Sequence, residues 1–329
     1  MRIISRPKYG LPYKGSKNKL AERIVDLLPK RKHLVDLFCG GCAVSHAALV
    51  KEKYKHVHIN DLNWMCPTLF MDVIAGKYKD EDRWISHEDF MRLRDTDPFV
   101  AMIWSFGNNM RDYMYSREIE PYKKACHYAV VYEDFSLLRE LCPEVCESCA
   151  MALDGVTDKR ERRVKFGTAV MRWLDLHRWA GVVSNNPLYA SCRNTTSGKR
   201  HSLELQSLER LQSLERLQSL ERNLTMSAKD YAEVEIPEDS VIYCDIPYKE
   251  TKGYVGAMKF DYVRFYGWCE MQTQPVFISS YKMQGGRFDC VAEFAHQSSI
   301  GTTTKTIERI FVPASQKERG YTRQLNLFL

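Results

Sequence analysis

The chain lacks several features that would assign it to other classes. No apolar run approaches the ~18 residues a membrane helix needs, so no membrane span is expected. The opening Met-Arg-Ile-Ile-Ser-Arg-Pro-Lys has no apolar signal core, and a cytoplasmic location is expected. Cysteine is present, at 11 residues, but without the spacing of a small disulfide scaffold, which points to reduced thiols. The dinucleotide fingerprint G-x-G-x-x-G is missing, because Gly40 and Gly41 are adjacent and Cys stands at position 42. A large charge excess is missing too: 48 Lys+Arg against 42 Asp+Glu leaves +6. That is compatible with a polyanion partner without showing one. What is present, 44% hydrophobic and 27% charged residues over 329, is the balance of a soluble globular protein with one large or two linked cores.

The most informative stretch is Val241-Ile242-Tyr243-Cys244-Asp245-Ile246-Pro247-Tyr248. Its apolar run reads as a buried strand. The run ends in a carboxylate, a rigid proline and an aromatic ring. In open α/β sheets, ligands bind at the carboxyl ends of the strands. An acceptor beside a stacking face suits a flat nucleobase with an exocyclic amine. The bland alternative, a common strand-to-turn exit, carries about equal weight on the tetrapeptide alone.

A second stretch shifts that balance. Residues 33–45, His-Leu-Val-Asp-Leu-Phe-Cys-Gly-Gly-Cys-Ala-Val-Ser, read as strand, Gly-rich turn and helix start. Glycines let the backbone approach a ligand closely, and a helix N-terminus then faces the crevice. About twenty residues on, His56-Val57-His58-Ile59-Asn60-Asp61 reads as a second strand ending in an acid, which suits a ribose diol. A nucleotide-free α/β unit or a nicotinamide site are the alternatives for this stretch taken alone.

Together, Asp36-Leu37-Phe38-Cys39-Gly40-Gly41, Asn60-Asp61 and Asp245-Ile246-Pro247-Tyr248 resemble a Dam-type, alpha-group adenine-N6 DNA methyltransferase. Tyr13-Lys14-Gly15-Ser16-Lys17-Asn18-Lys19 is similar to the segment that precedes the Gly turn in that family. The resemblance covers about residues 8–62 and 224–312. It implies S-adenosylmethionine (SAM) as cofactor, held by Tyr13, Gly15, Lys17, Asp36, Phe38, Gly40, Gly41 and Asp61. Ala228-Lys229-Asp230-Tyr231 resembles a further cofactor-contacting segment, which adds Asp230. Asp245, Ile246, Pro247 and Tyr248 would form the catalytic box. Residues 249–254 resemble the loop after it, and residues 260–268 and 276–281 a later helix and strand. No metal is implied. The family usually has Pro where this chain has Ile246, which leaves a main-chain carbonyl in place but frees φ.

Between Asp61 and the next cofactor-like segment lies a long stretch without catalytic signature, rich in helix formers over 85–180. Residues 105–113 are polar and aromatic and suit either base contact or an ordinary turn. Basic runs at 158–165 and 197–201 are either solvated faces or phosphate contacts, and at least one is expected to meet phosphate. Cys142, Cys146 and Cys149 are spaced as one buried helix face rather than a zinc site.

Leu205-Gln206-Ser207-Leu208-Glu209-Arg210 occurs three times without change, through Arg222. Three-residue Leu spacing carries each Leu ~60° round an α-helix. A lone amphipathic helix therefore fits poorly; the spacing also suits short solenoid turns leaning on the main domain, and the unchanged copies point to a length-tolerant, exposed insert of structural role, its conformation left open.

The expected fold is α/β: a SAM-dependent methyltransferase Rossmann-like sheet with a mostly helical inserted target-recognition domain. The catalytic domain would comprise 1–65 and 223–329, with an antiparallel hairpin near 302–312, and the DNA-recognition insert would be 66–222. The expected reaction is methyl transfer from SAM to the adenine N6 amine in double-stranded DNA after base flipping. Alternatives are an amine in RNA, cytosine N4, or a catalytically silent DNA-binding protein of the same fold. A monomer is expected, with a transient dimer on DNA as the other arrangement. The recognition sequence, and any pairing with a restriction nuclease, are not legible.

Overall fold

The computed structural model describes residues 9–177, 203–248, 260–297 and 305–318. The loops read at 197–201 and 249–254 lie outside the described residues. Packing divides the chain into two units: Met1–Lys77 with Leu214–Leu329, and Tyr78–Ser213.

The first unit is built on a seven-stranded sheet, ordered β3-β2-β1-β4-β5-β7-β6. The strands are β1 His33–Asp36, β2 His56–Asn60, β3 Leu224–Ser227, β4 Ser240–Asp245, β5 Val276–Ser280, β6 Phe288–Gln297 and β7 Lys305–Pro313. The first five in spatial order are parallel, and β7 and β6 close the sheet as an antiparallel pair. The expected C-terminal hairpin is therefore present. Strands buried on both faces need continuous apolar runs. β4 carries such a run at 241–244 and β5 at 276–278, and every residue of β5 is buried.

Three helices accompany the first two strands: α1 Ala21–Leu27, α2 Ala43–Val50 and α3 Met65–Ile74. The chain runs outward from β1 to β2 and β3, then returns to place β4 on the other side of β1. Strand order thus reverses between β1 and β4, and the crevice at their carboxyl ends is where such sheets bind ligands.

The second unit is helical: α4 His87–Leu93, α5 Pro98–Ile103, α6 Glu120–Val131, α7 Ser136–Leu141, α8 Pro143–Leu153, α9 Lys159–Leu176 and α10 Leu203–Gln212. Local signals fix several starts. Asp97 accepts from Phe99 and Val100 N–H ahead of Pro98 at the first turn of α5. Cys146 and Cys149 are buried on α8, and Cys142 is buried at its N-cap, as their helical spacing required.

The basic run at 158–165 does not offer itself to phosphate as a block. Arg162 is 3% exposed. It donates to the carbonyls of Ala129 and Val130, capping the end of α6, and to the Val156 carbonyl and the Glu133 carboxylate. Arg163 makes a two-pronged pair with Glu209, while Lys159 and Lys165 pair with Asp82 and Glu161. Burying a guanidinium requires that its donors be met, and here main-chain carbonyls and the Glu133 carboxylate meet them. Residues 105–113 form a closed loop bridged between Ser105 and Tyr113, with Phe106 63% exposed at its turn.

The repeat forms helical turns rather than solenoid turns. Its first copy and the start of the second lie in α10, and the remainder forms a 3₁₀ helix, Glu215–Asn223. In a 3₁₀ helix residues three apart eclipse, so three-residue leucine spacing becomes a stripe. Leu214 at the 3₁₀ N-cap and Leu217 within it are buried, as are Leu208 and Leu211 on α10. The 3₁₀ segment packs against α2 and α3. The period that disfavours an α-helix is the period of the tighter one.

Below the crevice, a helix over Tyr262–Met271 (α11) covers one face of the sheet. Phe265, Tyr266, Trp268 and Cys269 from it join Val35, Leu37, Ile242, Ile246 and Ile278 in one core cluster. Asp261 caps this helix by accepting from Arg264 N–H.

Candidate active site

The Gly turn is shaped by steric fit. Leu11 N–H donates to Gly41 O at 2.7 Å, and Gly10 N–H donates to His46 Nδ1 at 2.8 Å. Gly10 has φ +71°, and a Cβ there would lie 2.2 Å from Gly41 O and 2.7 Å from Ala43 N. A Cβ on Gly41 would lie 2.7 Å from Tyr13 Cβ, so the segment before α1 is pressed onto the turn. Residues 13–16 make a tight turn, with Ser16 N–H donating to Tyr13 O and Gly15 at φ +82°. The turn delivers Lys17 toward the carboxyl end of β4.

Asp61 is joined to the same turn. It accepts from Gly40 N–H and Asn63 N–H, both at 2.9 Å. Burial raises its pKa against those two bonds. Asn60 beside it is buried and fully engaged. Its amide donates to Leu37 O and Lys229 O and accepts from Ser227 Oγ and Lys229 N–H. Asn60 thereby brings the 229–231 segment to the end of β1. Phe38 is in ring contact with Tyr231, Phe260 and Phe265 there. Asp230 holds the N-cap of the short 3₁₀ turn Tyr231–Glu233 and is gripped by both Arg264 guanidinium nitrogens at 2.8 and 2.9 Å.

Asp36 turns away from the crevice opening. It is 1% exposed and accepts from Ser45 Oγ at 2.6 Å, tying β1 to α2. Burial pushes its carboxyl up to about 7.

At the end of β4, Asp245 keeps 22% of its side chain exposed. Lys17 Nζ donates to its two oxygens at 2.7 and 2.8 Å. The same ammonium meets Tyr248 Oη at 2.5 Å. Tyr248 Oη donates in turn to the Glu308 carboxylate at 2.9 and 3.0 Å, and its ring stacks on Tyr281 with centroids 4.2 Å apart. Burial raises the Asp245 carboxyl to about 6, with Lys17 opposing and Glu308 adding to the rise. Burial works against the Lys17 ammonium, but Asp245 and Glu308 outweigh it and hold its pKa above the ordinary lysine value. Burial, then the two carboxylates, drive the Tyr248 phenol far up, so it stays a donor.

Pro247 and Ile246 complete the edge. Tyr262 Oη donates to Pro247 O at 2.7 Å. The Ile246 side chain is 2% exposed and sits in the core cluster. Burying such a side chain is worth about 1.5–3 kcal/mol before entropy, so packing restrains the peptide that a proline ring would otherwise restrain.

Two groups of expected site residues therefore form. Tyr13, Gly15, Gly40, Gly41 and Asp61 surround the turn, with Phe38 and Asp230 on the 229–231 side of it. Lys17, Asp245, Pro247 and Tyr248 form the acid edge, where Lys17 sits on Asp245. The charges of Asp61 and Asp245 both act on Asp36, which links the groups.

Glu308, Ser279 and Tyr281 complete the site without having been read from the sequence. Glu308 left a signal. It shares a strand face with Ile310 and Val312, both buried, and a lone acid in an apolar alternation marks a buried carboxylate. Gly10 left none, because its role depends on where residue 41 folds.

Residues 13–148 match the family model of D12 class N6 adenine-specific DNA methyltransferases. No curated protein matches the chain. The family match bears out the resemblance to Dam-type enzymes, agrees with the Rossmann-like sheet and supports DNA adenine methylation in general terms. The matched stretch contains Tyr13, Lys17, the Gly turn and Asp61; Asp230 and the Asp245 edge lie beyond it.

Proposed function

On a chain whose residues 13–148 match the D12 class N6 adenine-specific DNA methyltransferases, we propose that the protein transfers the methyl group of SAM to the N6 amine of adenine in double-stranded DNA. The observation that carries this reading is the part-exposed Asp245 carboxylate at the strand-order reversal, backed by Lys17 and beside the Tyr248 ring. The adenine amine is a poor nucleophile because its lone pair is delocalised into the ring. Asp245 and the Ile246 carbonyl accept its two hydrogens and bias it toward tetrahedral geometry. Tyr248, stacked on Tyr281, provides the ring against which the base lies. Pro247 fixes the turn between acceptor and ring. Taking the base out of the duplex costs a few kcal/mol, which stacking and the acceptor pair offset.

The donor set fits SAM. Asp61 and Asp245 end at one sheet edge, and a sulfonium cation is favoured beside carboxylates. Tyr13, Gly15, Gly40 and Gly41 would hold it against the turn, Asp61 would take its ribose, and Phe38 and Asp230 would flank its adenine. When bound, SAM supplies an electrophilic methyl on sulfur. The chain's own contribution is position: Lys17 holds the acceptor in place, and holding two reactants aligned accounts for much of a transfer rate.

The test is purified protein with radiolabelled SAM and unmethylated DNA, the product digested to nucleosides and separated. Label is expected in N6-methyldeoxyadenosine. Label in N4-methyldeoxycytidine, or in RNA offered in competition, would overturn the assignment. SAM binding by calorimetry without transfer would leave only a silent binder.

A further inference from the structure

Glu308 is a carboxylate that the proposed chemistry leaves unused, and its surroundings are specific. It enters from β7 and is 1% exposed. Ser279 Oγ donates to its Oε1 at 2.8 Å, and Lys17 Nζ lies 3.9 Å from its Oε2. Tyr248 Oη has two carboxylates within reach: Glu308 at 2.9 and 3.0 Å, and Asp245 at 3.4 Å. A phenol has one proton, so the closer carboxylate takes it. Lys17, with three donors, spends its hydrogens on Asp245 and Tyr248.

We infer that Glu308 is a positioning residue for methyl transfer, which draws the Tyr248 hydroxyl away from Asp245 and so keeps the Asp245 lone pairs for the target amine. The inference rests on the reading of Asp245 as that acceptor. Without Glu308, the phenol proton has Asp245 as its next acceptor, and Tyr248 becomes a competitor of the substrate. The ring would turn with its hydroxyl, loosening the stack on Tyr281. Burying an acid at this depth is costly unless its lone pairs are met. Ser279 and Tyr248 meet them, and the Lys17 charge lies 3.9 Å away.

The test compares Glu308→Gln, Glu308→Ala, Tyr248→Phe and the Glu308→Ala/Tyr248→Phe double variant, by kcat and KM for transfer to unmethylated DNA across pH. Glu308→Ala should lower kcat/KM about tenfold or more, the scale of a lost hydrogen bond to a charged group. Tyr248→Phe should restore part of that loss in the double variant, because a phenyl ring cannot compete for Asp245. A merely structural glutamate would give additive or deeper loss. Glu308→Gln keeps an acceptor but removes the charge, so the acid limb of the rate profile should move to lower pH. The groups that act on Asp245 besides Glu308 are Lys17, Tyr248, Tyr243, Cys244, Tyr281 and Asp36, and all remain in that variant.

An unmoved acid limb in Glu308→Gln overturns the inference, as does a double variant less active than Glu308→Ala. If Glu308→Ala does not fold, the Glu308→Gln limb decides alone. If the wild type transfers no methyl, the functional reading fails, and the thermal midpoint against pH still reads the network. Asp245, raised when folded, makes stability fall as pH rises from about 4 to about 6. That fall should shrink in Glu308→Gln, and an unchanged fall overturns the proposed coupling.

Discussion

The Gly turn and the Asp245 edge lie at one end of the same sheet and are held by different forces. The turn is held by close backbone packing. Its partners, Gly10, Leu11, Tyr13, Gly41, His46, Asn60 and Asp61, all fall within one short span of chain. The edge is held by charge and hydroxyl contacts. Lys17 reaches Asp245 across 228 positions, and Tyr248 reaches Glu308 across 60. Steric fit tolerates no added atom, although the Asp61 carboxylate that accepts from Gly40 N–H titrates, its pKa raised by burial. A charge network tolerates isosteric change but answers to pH.

The largest effects should separate the two regions. Asp245→Ala should abolish transfer while calorimetry still finds SAM bound; retained turnover would remove Asp245 from the mechanism. Gly10→Ala should instead lose both SAM binding and transfer. Its Cβ would meet Gly41 O at 2.2 Å, and overpacking with strain at positive φ is expected to cost roughly 3 kcal/mol in urea unfolding. If Gly10→Ala bound SAM normally, the turn would not be the rigid half of the comparison.

Lys17→Met comes next. It leaves a buried carboxylate without its cation, so the Asp245 pKa should rise beyond about 6 and the acid limb of the rate profile should move to higher pH. A limb that stayed in place would show that Lys17 does not govern Asp245. In the wild type, activity should climb as pH rises through about 6, when Asp245 ionises. Stability should move the other way. Asp245 and Asp36 are raised to about 6 and about 7 in the folded chain. The folded state therefore binds protons more readily than the unfolded state. The contribution of these two groups is fully present below about pH 4 and is lost as pH rises through those values. Thermal midpoints measured alongside rates check the opposed slopes.

The smallest effect belongs to Ile246→Pro. The Ile246 side chain is already anchored in the core. Proline would trade buried area for a fixed φ, and the net should stay within about 1 kcal/mol and a few-fold in kcat. A large gain in rate would mean that packing does not restrain that peptide.

Much of the turn was legible before folding, because strand, glycines and helix start follow one another in the chain. Asp245 and Tyr248 were legible for the same reason: an apolar strand announces its own carboxyl end. Glu308 was not, since its meaning depends on which strand lies beside β5. Lys17 was read as a cofactor contact, and the fold sets it on Asp245. The basic run at 158–165 was open to either a solvated face or a phosphate contact, and the fold instead buries Arg162 at the end of α6. The leucine repeat misled through its period, read against an α-helix when part of it is 3₁₀.

The sequence by itself determined the strands, the Gly turn and the acid at the end of β4, because periodicity and turn chemistry are local properties of the chain. Only the tertiary structure decided which charges meet: Lys17 on Asp245, Glu308 on Tyr248, Arg264 on Asp230. A charge's function depends on its neighbours and its burial, and both are set only when distant segments pack together.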